Sequence, residues 1–276
     1  MTNKVQLDYQ TIKTPNGQVG YVKIGSGKPL IMLVGYSGNL LHWNSELVFS
    51  LAEEFCVYLP DNRKVGCSYS NNPESMTGLA MDIADFIIAL SLEQPIICGW
   101  SMGGIIAQSL AINYSELISG LCFIVSQPDY SYTYGNLHQL VTNLREQPSR
   151  ENREKLTELF FSELPSIEFR KYLARTILPI KHYVHPFNAD AQQLQNHCVN
   201  TWRSDEEQIK LITTRSLITV AKNDLVTRPE ASHLLHSLLP NSKLISYSDG
   251  GHFFLHHYPF ELAQQIKLFF GVVKAS

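Results

Sequence analysis

The amino-acid sequence predicts an α/β protein: a mostly parallel, doubly wound sheet carrying one helical insertion. Three observations predict it. Short uninterrupted apolar runs alternate with stretches of helical periodicity, the pattern of a parallel sheet buried on both faces. Two strand-like segments at the start have no helix between them, which suggests an antiparallel edge. The alternation stops near residue 127 and resumes near 213.

The elements follow in order. Residues 5–13 and 18–24 read as a hairpin joined at Pro15-Asn16-Gly17. Residues 30–34 (LIMLV) form a buried strand ending in a glycine loop, Gly35 to Asn39, and a helix follows near 44–54. Residues 55–59 (FCVYL) are the next strand. Leu79, Ile83, Phe86, Ile87 and Leu90 then lie on one face of a longer helix. Residues 96–98 lead through Gly99-Trp100-Ser101-Met102-Gly103 into a helix over about 103–114, and 121–125 are a further strand. The segment 127–212 is rich in polar residues and holds prolines at 148, 165, 179 and 186, so it reads as a mostly helical cap. The core then comprises 1–126 and 213–276. It resumes with a strand at 217–221 and a helix at 228–239, where Thr227 and Glu230 have capping-box spacing and Pro229 sits in the first turn. A strand at 244–247 and a helix at 259–270 complete it.

Composition narrows the function classes. The chain has 276 residues, 44% hydrophobic and 17% charged, with a formal charge of −3. That describes a globular protein and argues against nucleic-acid binding. The opening MTNKVQLDYQ has no apolar signal core, and no run approaches the roughly 20 apolar residues of a membrane span. The five cysteines are odd in number and lack CxxC spacing, which fits buried free thiols in a reducing compartment. A cytoplasmic location is expected. Signatures of nucleotide and zinc enzymes, GxxxxGK[ST], HExxH and GxGxxG after the first strand, do not occur. His182 and His185 could pair on a metal, but no third ligand has a recognisable spacing. No metal or cofactor is expected.

The serine turn carries the chemistry. G-x-S-x-G between a strand and a helix demands a tight turn that lifts the serine Oγ clear of the sheet. By itself the pattern also describes an ordinary glycine turn. Its placement after a strand and before a helix favours a nucleophile. A serine hydroxyl needs a base, and the base needs an orienting acid. His252 follows "SDGG" directly after the last strand, where Gly250 and Gly251 let the ring turn inward. Asp224 ends the strand 217–221 in "AKND", at the sheet edge where the sites of open α/β sheets collect. Asp249 is the second candidate acid, although it is better placed to shape its own turn. Oxyanion donors are expected at Met102 N–H, next to the nucleophile, and at Tyr36 N–H in the glycine loop.

Assembled, these residues resemble the α/β-hydrolase superfamily, and within it the capped serine hydrolases. The carriers are "GWSMGG", "AKND", "GGH" and "DNRKVGCS" at 61–68, the last resembling a D-x-R-G-x-G-x-S loop. Two positions depart from the pattern. Val34-Gly35 stands in place of His-Gly, and Lys64 takes a glycine's place. The resemblance implies that Ser101 attacks an ester carbonyl, His252 takes its proton, and Asp224 holds the imidazole. A carbon–carbon bond hydrolase would use the same three residues, and a ligand-binding receptor on this fold is the non-enzyme alternative.

Pocket candidates are Trp43, Trp100, Tyr130 and Phe253. Tyr36, His42, Tyr132, Tyr134, Phe161, Tyr183 and Phe187 are further aromatic residues of the cap and loops. A segment without acidic residues, 169–182, holds Arg170, Lys171 and Arg175. Lys171 and Arg175 share a helix face. A basic cap of this kind resembles that of the methyl esterases acting on pimeloyl-carrier protein in biotin synthesis. That likeness implies an acyl carrier protein as partner. A solvated helix face is the plain alternative.

Overall fold

The computed structural model describes residues 6–133, 137–184 and 188–271. The chain starts with β1 (Leu7–Thr14) and β2 (Gly17–Ile24), an antiparallel hairpin closed by Pro15 and Asn16. Then come β3 (Lys28–Leu33), α1 (Ser45–Leu51), β4 (Phe55–Pro60), β5 (Tyr69–Ser70) and α2 (Met76–Ala89). They lead to β6 (Ile96–Trp100), α3 (Met102–Asn113) and β7 (Gly120–Ile124). Between β7 and the next core strand lie α4 (Leu137–Glu146), α5 (Arg150–Phe161), α6 (Ile167–Arg175), β8 (Ile180–Lys181), α7 (Ala189–Thr201) and α8 (Glu206–Lys210). The chain ends with β9 (Ser216–Ala221), α9 (Pro229–Leu238), β10 (Ser242–Tyr247) and α10 (Pro259–Phe270).

The strands form one sheet in the order β10-β9-β7-β6-β3-β4-β2-β1-β8, with β5 paired to β2. β10 through β4 run parallel, and β2 and β1 form the antiparallel edge. Alternation along each strand divides the core. Ile31, Leu33, Ile97 and Phe123 pack towards α2, α3 and α9, while Leu30, Met32, Cys98 and Ile124 pack towards α1 and α10. Both faces are therefore dry, which is why these strands read as continuous apolar runs.

Several elements differ from expectation. The two-residue strands β5 and β8 are too short to leave a periodic signal. β8 matters for the architecture, because this piece of the 127–212 segment pairs with β1 at the sheet edge. α1 stops at Leu51, three residues before the expected end. Thr227 does not cap α9: the N-cap is Arg228, and the Thr227 hydroxyl has no partner among the described residues. The Asp224 carboxylate takes the Thr227 amide instead, so the local backbone serves a turn rather than a capping box. Lys64 adopts φ +66°, the left-handed conformation that a glycine would take without strain. Its N–H donates to Ser68 O at 2.8 Å, so the turn is kept.

Next to Lys64, Arg63 is buried and bidentate to Asp82 at 2.7 and 2.8 Å. It also donates to Asn72 O and Gly78 O. This network ties the loop after β4 to α2. All five cysteines are free, with Cys67 exposed and the other four buried. No helix among the described residues is long and apolar enough to cross a membrane.

Candidate active site

The strand-to-helix turn after β6 imposes a rare backbone on Ser101, with φ +54° and ψ −117°. L residues seldom adopt it, and such strain costs about 1–3 kcal/mol. Surrounding contacts hold it there. Ser101 N–H donates to Ile124 O at 2.9 Å, and its carbonyl accepts from Ser126 Oγ at 2.9 Å. A Cβ at Gly103 would stand 2.1 Å from Leu33 O, so only glycine lets α3 start this close to β3.

His252 and Asp224 come from loops after β10 and β9, and the fold brings them together. His252 Nδ1 lies 2.8 Å from Asp224 Oδ2, with both side chains almost fully buried. A carboxylate only accepts, so Nδ1 carries the proton and Nε2 of the neutral ring is left as an acceptor. Asp224 Oδ1 accepts from Val226 N–H at 2.7 Å and Thr227 N–H at 3.0 Å. These two amides fix the carboxylate plane.

The histidine loop is held at three points. Gly251 has φ +59°, and a Cβ there would stand 2.4 Å from Ser162 Oγ and 2.8 Å from Phe160 O. Gly251 N–H donates to Asn223 Oδ1 at 3.0 Å, which joins the histidine loop to the aspartate loop. Trp100 Nε1–H donates to His252 O at 3.2 Å. Asn223 was legible only as the neighbour of Asp224, and its cross-loop role has no sequence signature.

Ser101 and His252 line one cavity, with about 600 Å³ of empty space counted out to its open mouth. Of the pocket candidates, Trp100, Tyr130 and Phe253 line it. Trp43 does not. It is fully buried behind the wall, its ring 5.6 Å from that of Trp100. A large indole at the end of a short turn was taken up by the core rather than the cavity. Phe160, Thr227 and Arg145 line the cavity without having been expected there. His42 also lines it, while its Nδ1 accepts from Asn39 N–H. Phe161 stacks edge-on against Phe253, and Tyr183 donates to Asp61 Oδ1 at 2.7 Å.

The glycine loop passes against the serine. A Cβ at Gly35 would stand 3.2 Å from Ser101 Cβ. Ser37 N–H is taken by Gln195 Oε1 of α7 at 2.7 Å, whereas Tyr36 N–H makes no hydrogen bond among the described residues. Met102 opens α3, where the first amides have no helical partner.

The remaining candidates lie elsewhere. Asp249 is exposed and accepts from Tyr258 OH, shaping its own turn. Arg170, Lys171 and Arg175 are exposed on α6, where Arg170 Nε–H donates to Pro165 O at 3.0 Å. His182 is exposed. Tyr134, His185 and Phe187 lie outside the described residues. Among the described residues there is no group of three or more side chains placed to hold a metal.

Similarity to known proteins agrees with this architecture. Residues 28–257 match the family model described as alpha/beta hydrolase fold. A pimeloyl-[acyl-carrier protein] methyl ester esterase from Vibrio parahaemolyticus is 30% identical over 107 residues, covering 39% of this chain. The match spans only 40% of that relative's length. A putative carbamate hydrolase from Serratia proteamaculans is 22% identical over 81% of this chain and 83% of its own. An alpha/beta hydrolase fold protein from Chitinophaga pinensis superimposes with a TM-score of 0.79 at 21% identity, covering 98% of both chains. With the sheet order, the serine turn and a family match spanning most of its length, the chain belongs to the alpha/beta hydrolase fold family.

Proposed function

We propose that this protein is a serine hydrolase that cleaves carboxylic esters through an acyl-enzyme. One observation carries the reading: His252, 2.8 Å from the buried Asp224 carboxylate, shares a cavity with the strained Ser101. In this reading His252 Nε2 accepts the Ser101 proton as Oγ attacks the ester carbonyl. Asp224 holds the ring in the required tautomer and stabilises the imidazolium. Tyr36 N–H and Met102 N–H receive the oxyanion. The imidazolium then protonates the leaving alcohol. Water, deprotonated by the same nitrogen, attacks the acyl-enzyme, and Ser101 regains its proton as the acid departs.

The test is a chain-length series of p-nitrophenyl esters with the native protein and Ser101→Ala, alongside mass labelling by a fluorophosphonate. Native turnover, its loss in the variant and a single adduct on Ser101 are the expected results. An unchanged rate in Ser101→Ala would remove the serine from the reaction.

A carrier-linked substrate is a second reading, favoured by the exposed Arg170, Lys171 and Arg175 on α6 and by the methyl esterase relatives. Reversing the charge of all three should raise KM for an acyl-carrier-linked ester and leave KM for a small ester in place. Equal KM values before and after reversal would discard the carrier.

A further inference from the structure

We propose that the cavity beside Ser101 selects esters that carry a second, ionised carboxylate, and that Arg145 receives it. This rests on the ester-hydrolase reading and specifies its substrate class. Arg145 comes from α4 and lines the cavity. Among the described residues its guanidinium makes one weak hydrogen bond, Nη1–H to Ser37 O at 3.5 Å. Among the described residues no Asp or Glu lines the cavity, and every ion pair involves other cations. A half-buried guanidinium without a carboxylate is an unbalanced charge. Burial pushes its pKa below the ordinary range, in keeping with that imbalance.

A second, independent observation points the same way. Ser37, Tyr130 and Thr227 are among the residues lining this cavity, and their hydroxyls are buried with no hydrogen-bond partner among the described residues. Buried hydroxyls are ordinarily satisfied. Three unpartnered hydroxyls on residues of one cavity, together with a guanidinium that has no carboxylate partner among the described residues, favour a ligand that brings acceptor oxygens. The planar fork of arginine matches a carboxylate bidentately.

Trp100, Leu137, Val141, Phe160, Val226 and Phe253 supply an apolar part of the lining. The complementary ligand carries an ester, an apolar chain and a carboxylate. Arg145 is on this account a specificity residue and takes no part in proton transfer.

The experiment compares mono-p-nitrophenyl adipate with p-nitrophenyl hexanoate, which differ in the terminal charge. The readout is the ratio of their kcat/KM values in the native protein, Arg145→Gln and Arg145→Lys. Native protein should prefer the adipate ester at least tenfold. Arg145→Gln should bring the ratio near one, and Arg145→Lys should keep part of it. Equal native rates, or a ratio unchanged in Arg145→Gln, would overturn the selectivity and leave ester hydrolysis standing.

A binding arm separates the two failures. Adipate and hexanoate are titrated into native protein by calorimetry. If neither ester is turned over, the hydrolase reading falls. Adipate binding that exceeds hexanoate binding and disappears in Arg145→Gln still supports the carboxylate site, and absent adipate binding overturns it. Should Arg145→Gln not fold, inhibition of native hexanoate hydrolysis decides. Stronger inhibition by adipate than by hexanoate supports the site, and equal inhibition overturns it.

Discussion

Asp224→Asn separates the proposed orienting and electrostatic role of Asp224 from its packing. In the native protein Oδ1 accepts from two backbone amides and Oδ2 faces His252 Nδ1. An asparagine must keep its carbonyl oxygen on the two amides, since its NH₂ there would meet two other donors. The NH₂ is then forced towards His252, where it can only donate. Nδ1 must become the acceptor, and the ring proton moves to Nε2. In that tautomer His252 cannot accept the Ser101 proton. The expected loss is the general-base contribution together with the imidazolium stabilisation. It is about 10³- to 10⁴-fold in kcat, or about 4–5.5 kcal/mol at 1.36 kcal/mol per decade. The volume and backbone bonds are retained, so the thermal midpoint should move by only a few degrees. The assay is kcat and kcat/KM on the preferred p-nitrophenyl ester, with thermal melts of both proteins. A variant within tenfold of native activity and equally stable would refute the orienting role. A variant that loses its activity through unfolding would be recognised by its melt.

Other perturbations have defined outcomes. Asp82→Asn removes the partner of the buried Arg63 guanidinium and should cost about 3–5 kcal/mol in urea unfolding. Gly103→Ala places a Cβ 2.1 Å from Leu33 O. Backbone cannot yield as a side chain can, so about 1–3 kcal/mol of stability should go, and esterase activity with it as the serine turn shifts. His256 has its pKa lowered to about 3, by burial first and then by His42 and His257. Its folded-state value is below the unfolded one, so the unfolded chain takes up the proton first. Stability should be complete above about pH 6.5 and fall towards pH 3, by at most about 1.4 kcal/mol per pH unit and less because the residue is only half-buried. Urea melts at several pH values check this, and His256→Phe should flatten the slope.

Local regularities made much of the fold legible. The strands at 30–34, 55–59 and 121–125 were readable because burial on both faces removes every polar residue from them. The hairpin was readable because Pro15-Asn16-Gly17 permits little else. Ser101 was readable because the turn must exclude side chains at Gly99 and Gly103, and that leaves a pattern in five consecutive residues. Asp224 and His252 were found by position at the ends of strands. Trp43 was misplaced for the opposite reason. Whether an indole faces the cavity or the core depends on how the turn after β3 lies against Trp100, and nothing within a few residues determines that. Arg145 sits in a helix of ordinary polar appearance. The role proposed for it rests on the absence of a carboxylate beside it among the described residues.

The same distinction accounts for how the inserted segment serves the site. Its boundaries are visible as a break in rhythm, yet its hydrogen bonds reach into the core at each working part. Gln195 takes Ser37 N–H beside the candidate oxyanion amide, and Tyr36 OH donates to Asn196. Ser162 donates to Asn223 O beside Asp224, and Tyr183 donates to Asp61. Leu194, Cys198 and Val199 of α7 join the apolar cluster that contains α3. A segment tied this way fixes more than the cavity wall. It holds the amide loop and the acid loop in register with the serine. A change in α7 that frees Ser37 N–H would therefore be felt at Tyr36 N–H before it altered the size of the cavity. Under the proposals above, substrate selection and oxyanion geometry depend on two helices of one segment, α4 through Arg145 and α7 through Gln195.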